Sequence, residues 1–217
     1  MGRMEAVMRT AWMLAVAIVV AVPVQAQTND DFHSIGYARL GSGGAFADRF
    51  RPAPGFGLGY RGEFESFALD VSFLNYIFRA DPYENGGNVL AGSFLKLQAL
   101  RFLNSESDRS AYLGAGLSWG GVIADRGSST ASTYVSSWHG SGLQGELTAG
   151  YELRRRTPVR LFVQADIGLP FFKARADSYT YTLPRSPGAI LRPVTVAERY
   201  IPSAVVSLGL GWNGHHR

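Results

Sequence analysis

Residues 159–169 read Val159-Arg160-Leu161-Phe162-Val163-Gln164-Ala165-Asp166-Ile167-Gly168-Leu169. In an extended chain Val159, Leu161, Val163, Ala165, Ile167 and Leu169 share one face, and Gln164, Asp166 and Gly168 fall on the other. That is the period of a strand and not of a helix. The apolar face is greasy throughout, while its opposite carries a carboxylate, an amide and a glycine. A soluble barrel would put the first face inside and show Lys, Glu and Thr to water. A barrel in lipid inverts this, because its outer wall meets hydrocarbon and its lumen takes small and polar groups.

Seven more segments follow the same template: 33–41, 55–64, 66–78, 88–102, 111–124, 142–153 and 203–212, with the quoted one running over 159–171. In the second, Phe56, Leu58 and Tyr60 alternate with Gly57, Gly59 and Arg61; in the fifth, Leu113, Ala115, Leu117 and Trp119 oppose Tyr112, Gly114, Gly116 and Ser118. The first segment is ambiguous in phase, and Arg39 is the reason. Glycine, at 26 of 217 residues, exceeds the ~7% norm. It concentrates in strands, where it normally weakens pairing, and a narrow lumen gives it a purpose.

The connections after the second, fourth and sixth segments are short (63–65, 103–110, 154–158), and the others are longer (42–54, 79–87, 125–141, 172–202). Such alternation is expected when short turns face the periplasm and long loops face outward. Residues 133–138 and 178–183 keep a strand-like alternation, so the fifth and sixth, and the seventh and eighth, segments are expected to continue as hairpins above the bilayer. Ten strands are the alternative to eight.

Residues 1–26 read as a signal peptide, leaving 27–217 as one barrel domain. Arg3 and Arg9 precede an apolar run that ends at Pro23, and Val24-Gln25-Ala26 suits a signal peptidase. A signal anchor is the other reading, but the run is shorter than the ~20 residues a spanning helix needs. The chain contains no cysteine, which excludes disulfides, thiolate metal sites and a Cys nucleophile. Its net charge of +4 becomes +3 when Arg3, Arg9 and Glu5 leave with the leader. So mild a charge, without a basic stripe, argues against nucleic-acid binding.

Runs such as Tyr112-Leu113-Gly114-Ala115-Gly116-Leu117 and Val206-Ser207-Leu208-Gly209-Leu210-Gly211-Trp212 resemble those of the small OmpA/OmpX-like outer-membrane β-barrels, often described as porin-like. The resemblance covers about 35–212. It implies an all-β fold: an eight-stranded antiparallel up-and-down transmembrane β-barrel with protruding extracellular hairpins, in the outer membrane of a Gram-negative-type bacterium. It also implies a final aromatic residue read by the barrel-assembly machinery. Trp212 fits that role, although Asn213-Gly214-His215-His216-Arg217 follow it.

Candidate site residues fall into three sets. Asp70, Lys96, Gln98, Gln144, Glu146, Gln164 and Asp166 lie on the inward phase, where charges must pair. They read either as a structural network closing the lumen or as a very narrow ion path. An eight-stranded barrel has just enough interior for side chains to fill, which argues against solute diffusion. Phe56, Tyr60, Phe67, Phe73, Trp119, Tyr151, Phe171 and Trp212 lie near strand ends and read as two aromatic girdles, against plain strand propensity. Lys173, Arg175, Arg185, Arg192 and Arg199 form a basic outer loop, suited to lipopolysaccharide phosphates or merely solvated.

Catalysis finds little support. His139-Gly140-Ser141 with Glu146 or Glu152 invites comparison with lipid A-modifying barrel enzymes. Along an extended strand at ~3.3 Å per residue, however, the two carboxylates lie about 16 and 36 Å from Ser141. His33, His215 and His216 lie near the termini, and the adjacent pair His215-His216 is a weak metal motif that reads more simply as polar tail. The expectation is therefore a monomeric, cofactor-free outer-membrane protein, not an enzyme, with a structural or surface-interaction role in the cell envelope. A narrow ion channel, a lipid A-modifying enzyme and a soluble lipocalin-like carrier are the alternatives.

Overall fold

Alternating side chains sort to two faces, and eight such strands hydrogen-bonded in a ring leave one face of each inside and one outside. The computed structural model describes residues 32–47, 50, 52–78, 89–124, 133–135, 138–180 and 194–213. The signal-peptide region, 1–26, lies outside the described residues, as do Arg185, Arg192, His215 and His216. The strands are β1 (Phe32–Ala45), β2 (Ala53–Phe64), β3 (Phe67–Phe78), β4 (Val89–Phe102), β5 (Arg109–Ala124), β6 (Thr133–Val135), β7 (Trp138–Leu153), β8 (Val159–Pro170), β9 (Ala174–Thr180), β10 (Val194–Arg199) and β11 (Ser203–Asn213).

The barrel consists of β1, β2, β3, β4, β5, β7, β8 and β11, each antiparallel to its neighbours. It closes where β1 pairs with β11, from Ile35↔Asn213 to Ala45↔Ser203. Eight strands, not ten, complete the ring. The short turns 65–66, 103–108 and 154–158 gather at one end with the start of β1 and the end of β11. The first long connection is only 46–52, because β1 and β2 run further than the alternation suggested. Phe46 stacks on Phe50 there, and its backbone N–H donates to the Pro202 carbonyl.

Above the barrel, β9 and β10 form a hairpin that continues β8 and β11, with a bulge between Thr195 and Ala197. The expected continuation of β5 and β7 takes another course. Thr133, Tyr134 and Val135 pair with Thr180, Tyr179 and Ser178 of β9 instead of extending their own hairpin. The other end of that segment adds to the wall, since β7 begins at Trp138.

Outside, the wall is apolar. Leu208 is 67% exposed, Val163 43% and Leu58 49%, and Leu40, Leu95, Leu97, Leu113, Leu161, Ile167, Val206 and Leu210 are exposed beside them. In water so large an apolar surface would be untenable for a monomer; in acyl chains it is the favoured exterior. A β-bulge in β4 between Ser93 and Leu95 places Phe94 and Leu95 both outside. It also resets the phase, so that Ser93 and Lys96 both point inward.

The inward phase is not uniformly small and polar, and three of its rings fit the wall in the same way. Tyr37, Tyr112 and Phe162 are buried inside the barrel, each directly across from a glycine: Gly59, Gly150 and Gly209. A Cβ at Gly59 or Gly209 would overlap the Tyr37 or Phe162 ring. These glycines are gaps into which aromatic rings lie flat against the wall. That also settles β1. Ile35, Tyr37 and Arg39 point in, and Gly36, Ala38 and Leu40 face out.

Candidate functional site: a filled lumen

Every one of the inward candidates is buried: Asp70, Lys96, Gln98, Gln144, Glu146, Gln164 and Asp166. Sequence phase put them on one surface; the barrel's curvature brings them within hydrogen-bond reach across it. They are joined by Arg39, Arg61, Glu63, Glu152, Arg155 and Arg160, which the candidate set omitted. Among the described residues the buried charges are five cations (Arg39, Arg61, Lys96, Arg155, Arg160) and five anions (Glu63, Asp70, Glu146, Glu152, Asp166). The lumen is therefore neutral overall, as burial in a low-dielectric shell demands.

The network starts at the short-turn end. Arg154 takes a left-handed backbone (φ 57°) in its turn, and Arg155 next to it reaches beneath the barrel. Arg155 donates to the Ser105 and Glu65 carbonyls and to Glu63, so one side chain ties the three short turns together. Its guanidinium also lies 3.7 Å from the Phe102 ring centroid. Arg160 Nη1 bridges Glu63 (2.7 Å) and Glu152 (3.2 Å). Glu152 in turn receives Arg61 Nη1 at 3.1 Å, and Arg61 Nε reaches Asp70 at 3.1 Å.

Arg61 sits at the centre of the lower lumen. The rings of Tyr37, Tyr112 and Phe162 surround it, with centroids 5.5, 5.1 and 5.3 Å away. Cation–π attraction strengthens when the cation is desolvated, and these rings meet a fully buried guanidinium. The Tyr37 hydroxyl lies 2.8 Å from both Asp70 oxygens, and the Tyr112 hydroxyl donates to Gln164 Oε1 at 2.8 Å.

Higher up, Asp166 is the hub. It accepts from Arg39 Nη1 (2.8 Å), Lys96 Nζ (2.6 Å) and Gln164 Nε2 (2.8 Å), and the Thr148 hydroxyl lies against it. Gln98 links this hub to the lower network, donating to Asp70 and facing Thr148. Lys96 also lies 3.5 Å from Glu146, whose Oε1 accepts from Ser118, Ser93 and Gln144.

An apolar cluster crosses the lumen above this. Ala45 and Ala53, Leu74, Val122, Trp138, Ile201 and Val205 meet Ala174 and Ala176 of the β9–β10 hairpin. The Arg199 guanidinium lies 4.6 Å from the Trp138 ring. Among the described residues the interior is thus filled first by ion pairs and then by hydrocarbon.

The remaining candidates sit as follows. Phe56, Tyr60, Trp119, Tyr151 and Trp212 are exposed on the wall, and Phe67, Phe73 and Phe171 are half-buried. Phe56 and Phe73 meet edge to face at 6.0 Å. Lys173 and Arg175 are exposed beyond the wall, and Arg175 pairs with Glu198 at 2.9 Å. Ser141 faces outward while Glu146 and Glu152 are locked inside, so these groups do not assemble into a triad. Among the described residues no group of three or more His, Asp or Glu is placed to hold a metal ion.

No protein-family model matches the chain, and no curated protein matches it in sequence. Solved structures do. Neisserial surface protein A aligns at 14% identity with a TM-score of 0.51, over 82% of this chain and 96% of that one. Ail of Yersinia pestis, in complex with the heparin analogue sucrose octasulfate, aligns at 14% identity and a TM-score of 0.48, over 85% and 99%. The outer membrane protein AlkL in lipid bilayers aligns at 13% and 0.46, over 90% and 96%. The likeness is one of fold: the chain is an eight-stranded transmembrane β-barrel of the outer-membrane type.

Proposed function

We propose that the protein is a structural and surface-interaction component of the cell envelope, a monomeric outer-membrane barrel that offers partners its long-loop end and its lipid-facing wall. The filled lumen carries this reading. Among the described residues ten buried charges form ion pairs beneath the cluster around Trp138, which supports a lumen closed to solutes. What remains available is the outside. Lys173 and Arg175 stand just beyond the apolar wall, where lipopolysaccharide phosphates would lie on the outer face. Trp212, near the end of β11, supplies the aromatic residue for the barrel-assembly machinery.

Expression in a Gram-negative host tests this reading. The protein should fractionate with the outer membrane, migrate faster on a denaturing gel before heating than after, and give no conductance steps in planar bilayers. It should leave lipid A mass unchanged, and Lys173→Gln with Arg175→Gln should weaken retention on lipopolysaccharide vesicles. Recovery from periplasm without detergent would overturn the reading. A narrow ion path is the second reading, favoured by Lys96 standing between Asp166 and Glu146; discrete conductance steps would support it against the first.

A further inference from the structure

Three polar side chains on the outer wall near the short turns have no side-chain partner among the described residues. Arg101 on β4 and Arg109 on β5 are exposed, and Tyr151 on β7 is 46% exposed. None of the three makes a side-chain hydrogen bond or ion pair among the described residues. Glu65, Glu106 and Asp108, the exposed carboxylates of the neighbouring turns, leave both arginines unpaired.

The register brings the three together. Ala111 of β5 lies directly across from Tyr151, and its carbonyl accepts from the N–H of Leu103, just past the end of β4. Arg101 sits two residues before Leu103, opposite Leu113, and Arg109 sits two residues before Ala111 on the same face. Each of the three is therefore a direct, diagonal or same-face neighbour of Ala111, with Cβ atoms about 5–8 Å from its own. Two guanidinium groups and one phenol, with Leu103, thus border Ala111, whose side chain is a single methyl.

This cluster lies at the edge of the lipid-facing wall. Arg101 stands between Phe67 and Leu113 in register, and Leu97, Leu103 and Leu113 around it are exposed. A cation costs little near the interface but much deeper in the bilayer, so this level marks the headgroup region. The anion available at that depth is a lipid phosphate, and guanidinium groups match its geometry. We propose that Arg101, Arg109 and Tyr151 hold the phosphate of one glycerophospholipid in the leaflet on the short-turn side, its acyl chains lying along Leu97, Ala99 and Leu113.

The test is native mass spectrometry of the full chain in detergent, titrated with dioleoylphosphatidylglycerol. Arg101→Gln with Arg109→Gln should weaken binding of one lipid by about tenfold or more, and Tyr151→Phe by about threefold. Arg101→Lys with Arg109→Lys keeps the charge and loses the planar fork, so its affinity should fall between those of the wild type and the glutamine pair. The turn variants Arg154→Gln and Arg156→Gln should change nothing, and dioleoylglycerol should not bind. Wild-type affinity in the glutamine pair, or an equal loss in the turn variants, would overturn the site. If the glutamine pair does not form a heat-modifiable band, Tyr151→Phe decides: unchanged affinity rejects the site, and a loss supports it. A wild-type protein lacking that band would instead remove the membrane-barrel reading on which the site rests.

Discussion

Replacing Asp166 with Asn keeps the side-chain volume and deletes the charge at the hub of the lumen. Asp166 now receives Arg39 at 2.8 Å, Lys96 at 2.6 Å and Gln164 at 2.8 Å, with only 4% of its surface exposed. The variant weakens the pairing of two buried cations to different degrees. Lys96 keeps Glu146 at 3.5 Å, whereas Arg39 loses this carboxylate and retains Ser72 at 3.5 Å. Breaking a buried ion pair costs about 3–5 kcal/mol. Because Lys96 keeps a partner, the lower end applies, about 3 kcal/mol or roughly a 150-fold shift in the folding equilibrium. Arg39→Gln, which leaves Asp166 paired with Lys96, should cost about 2 kcal/mol. The double variant should cost about 3 kcal/mol instead of the additive 5, because the two changes remove one shared interaction. Urea titration of the barrel in phosphatidylcholine vesicles, read by gel mobility before and after heating, measures all three. An Asp166→Asn variant within about 0.5 kcal/mol of the wild type, or a strictly additive double variant, would refute the network as a source of stability.

Gly209→Ala should destabilise the barrel by about 1–3 kcal/mol in the same titration, since the added methyl meets the Phe162 ring. Adding Phe162→Leu should recover part of that loss, and no recovery would reject the gap argument. Leu208→Arg places a cation on the lipid face near mid-strand and should cost about 2–4 kcal/mol in vesicles; a neutral effect would mean that Leu208 does not face acyl chains. Trp138→Ala empties the centre of the apolar cap and should cost about 3–5 kcal/mol. It should still give no conductance in planar bilayers, because the ion network lies beneath it.

The wall was legible because lipid imposes one rule on every outward position. Val159 to Leu169, Leu143 to Leu153 and Val206 to Trp212 each alternate cleanly, and their strands begin and end within a few residues of the expected places. The lumen answers to pairing, which alternation does not encode. Arg39 stayed ambiguous in β1 because Ile35 and Tyr37 share its inward face, and its partner Asp166 lies 127 residues away. Arg61 and Arg160 were on the readable inward phase; asking what neutralises Asp70, Glu146 and Asp166 would have found them. Glu63, two residues beyond Arg61 in β2, shared that phase and could have been found in the same way; Arg155 was not legible, since a turn residue has no phase. The pairing of 133–135 with β9 was equally hidden, because local alternation names a strand and not its neighbour.

Fluorophores placed one at a time at 163 and 208, and at 164 and 207, in vesicles of lipids brominated along the acyl chains, test the central claim most directly. Val163 and Leu208 point out and Gln164 and Ser207 point in, so labels at the first pair should be strongly quenched and labels at the second spared. Quenching confined to 164 and 207, or absent at all four, would contradict a barrel whose apolar side chains meet lipid.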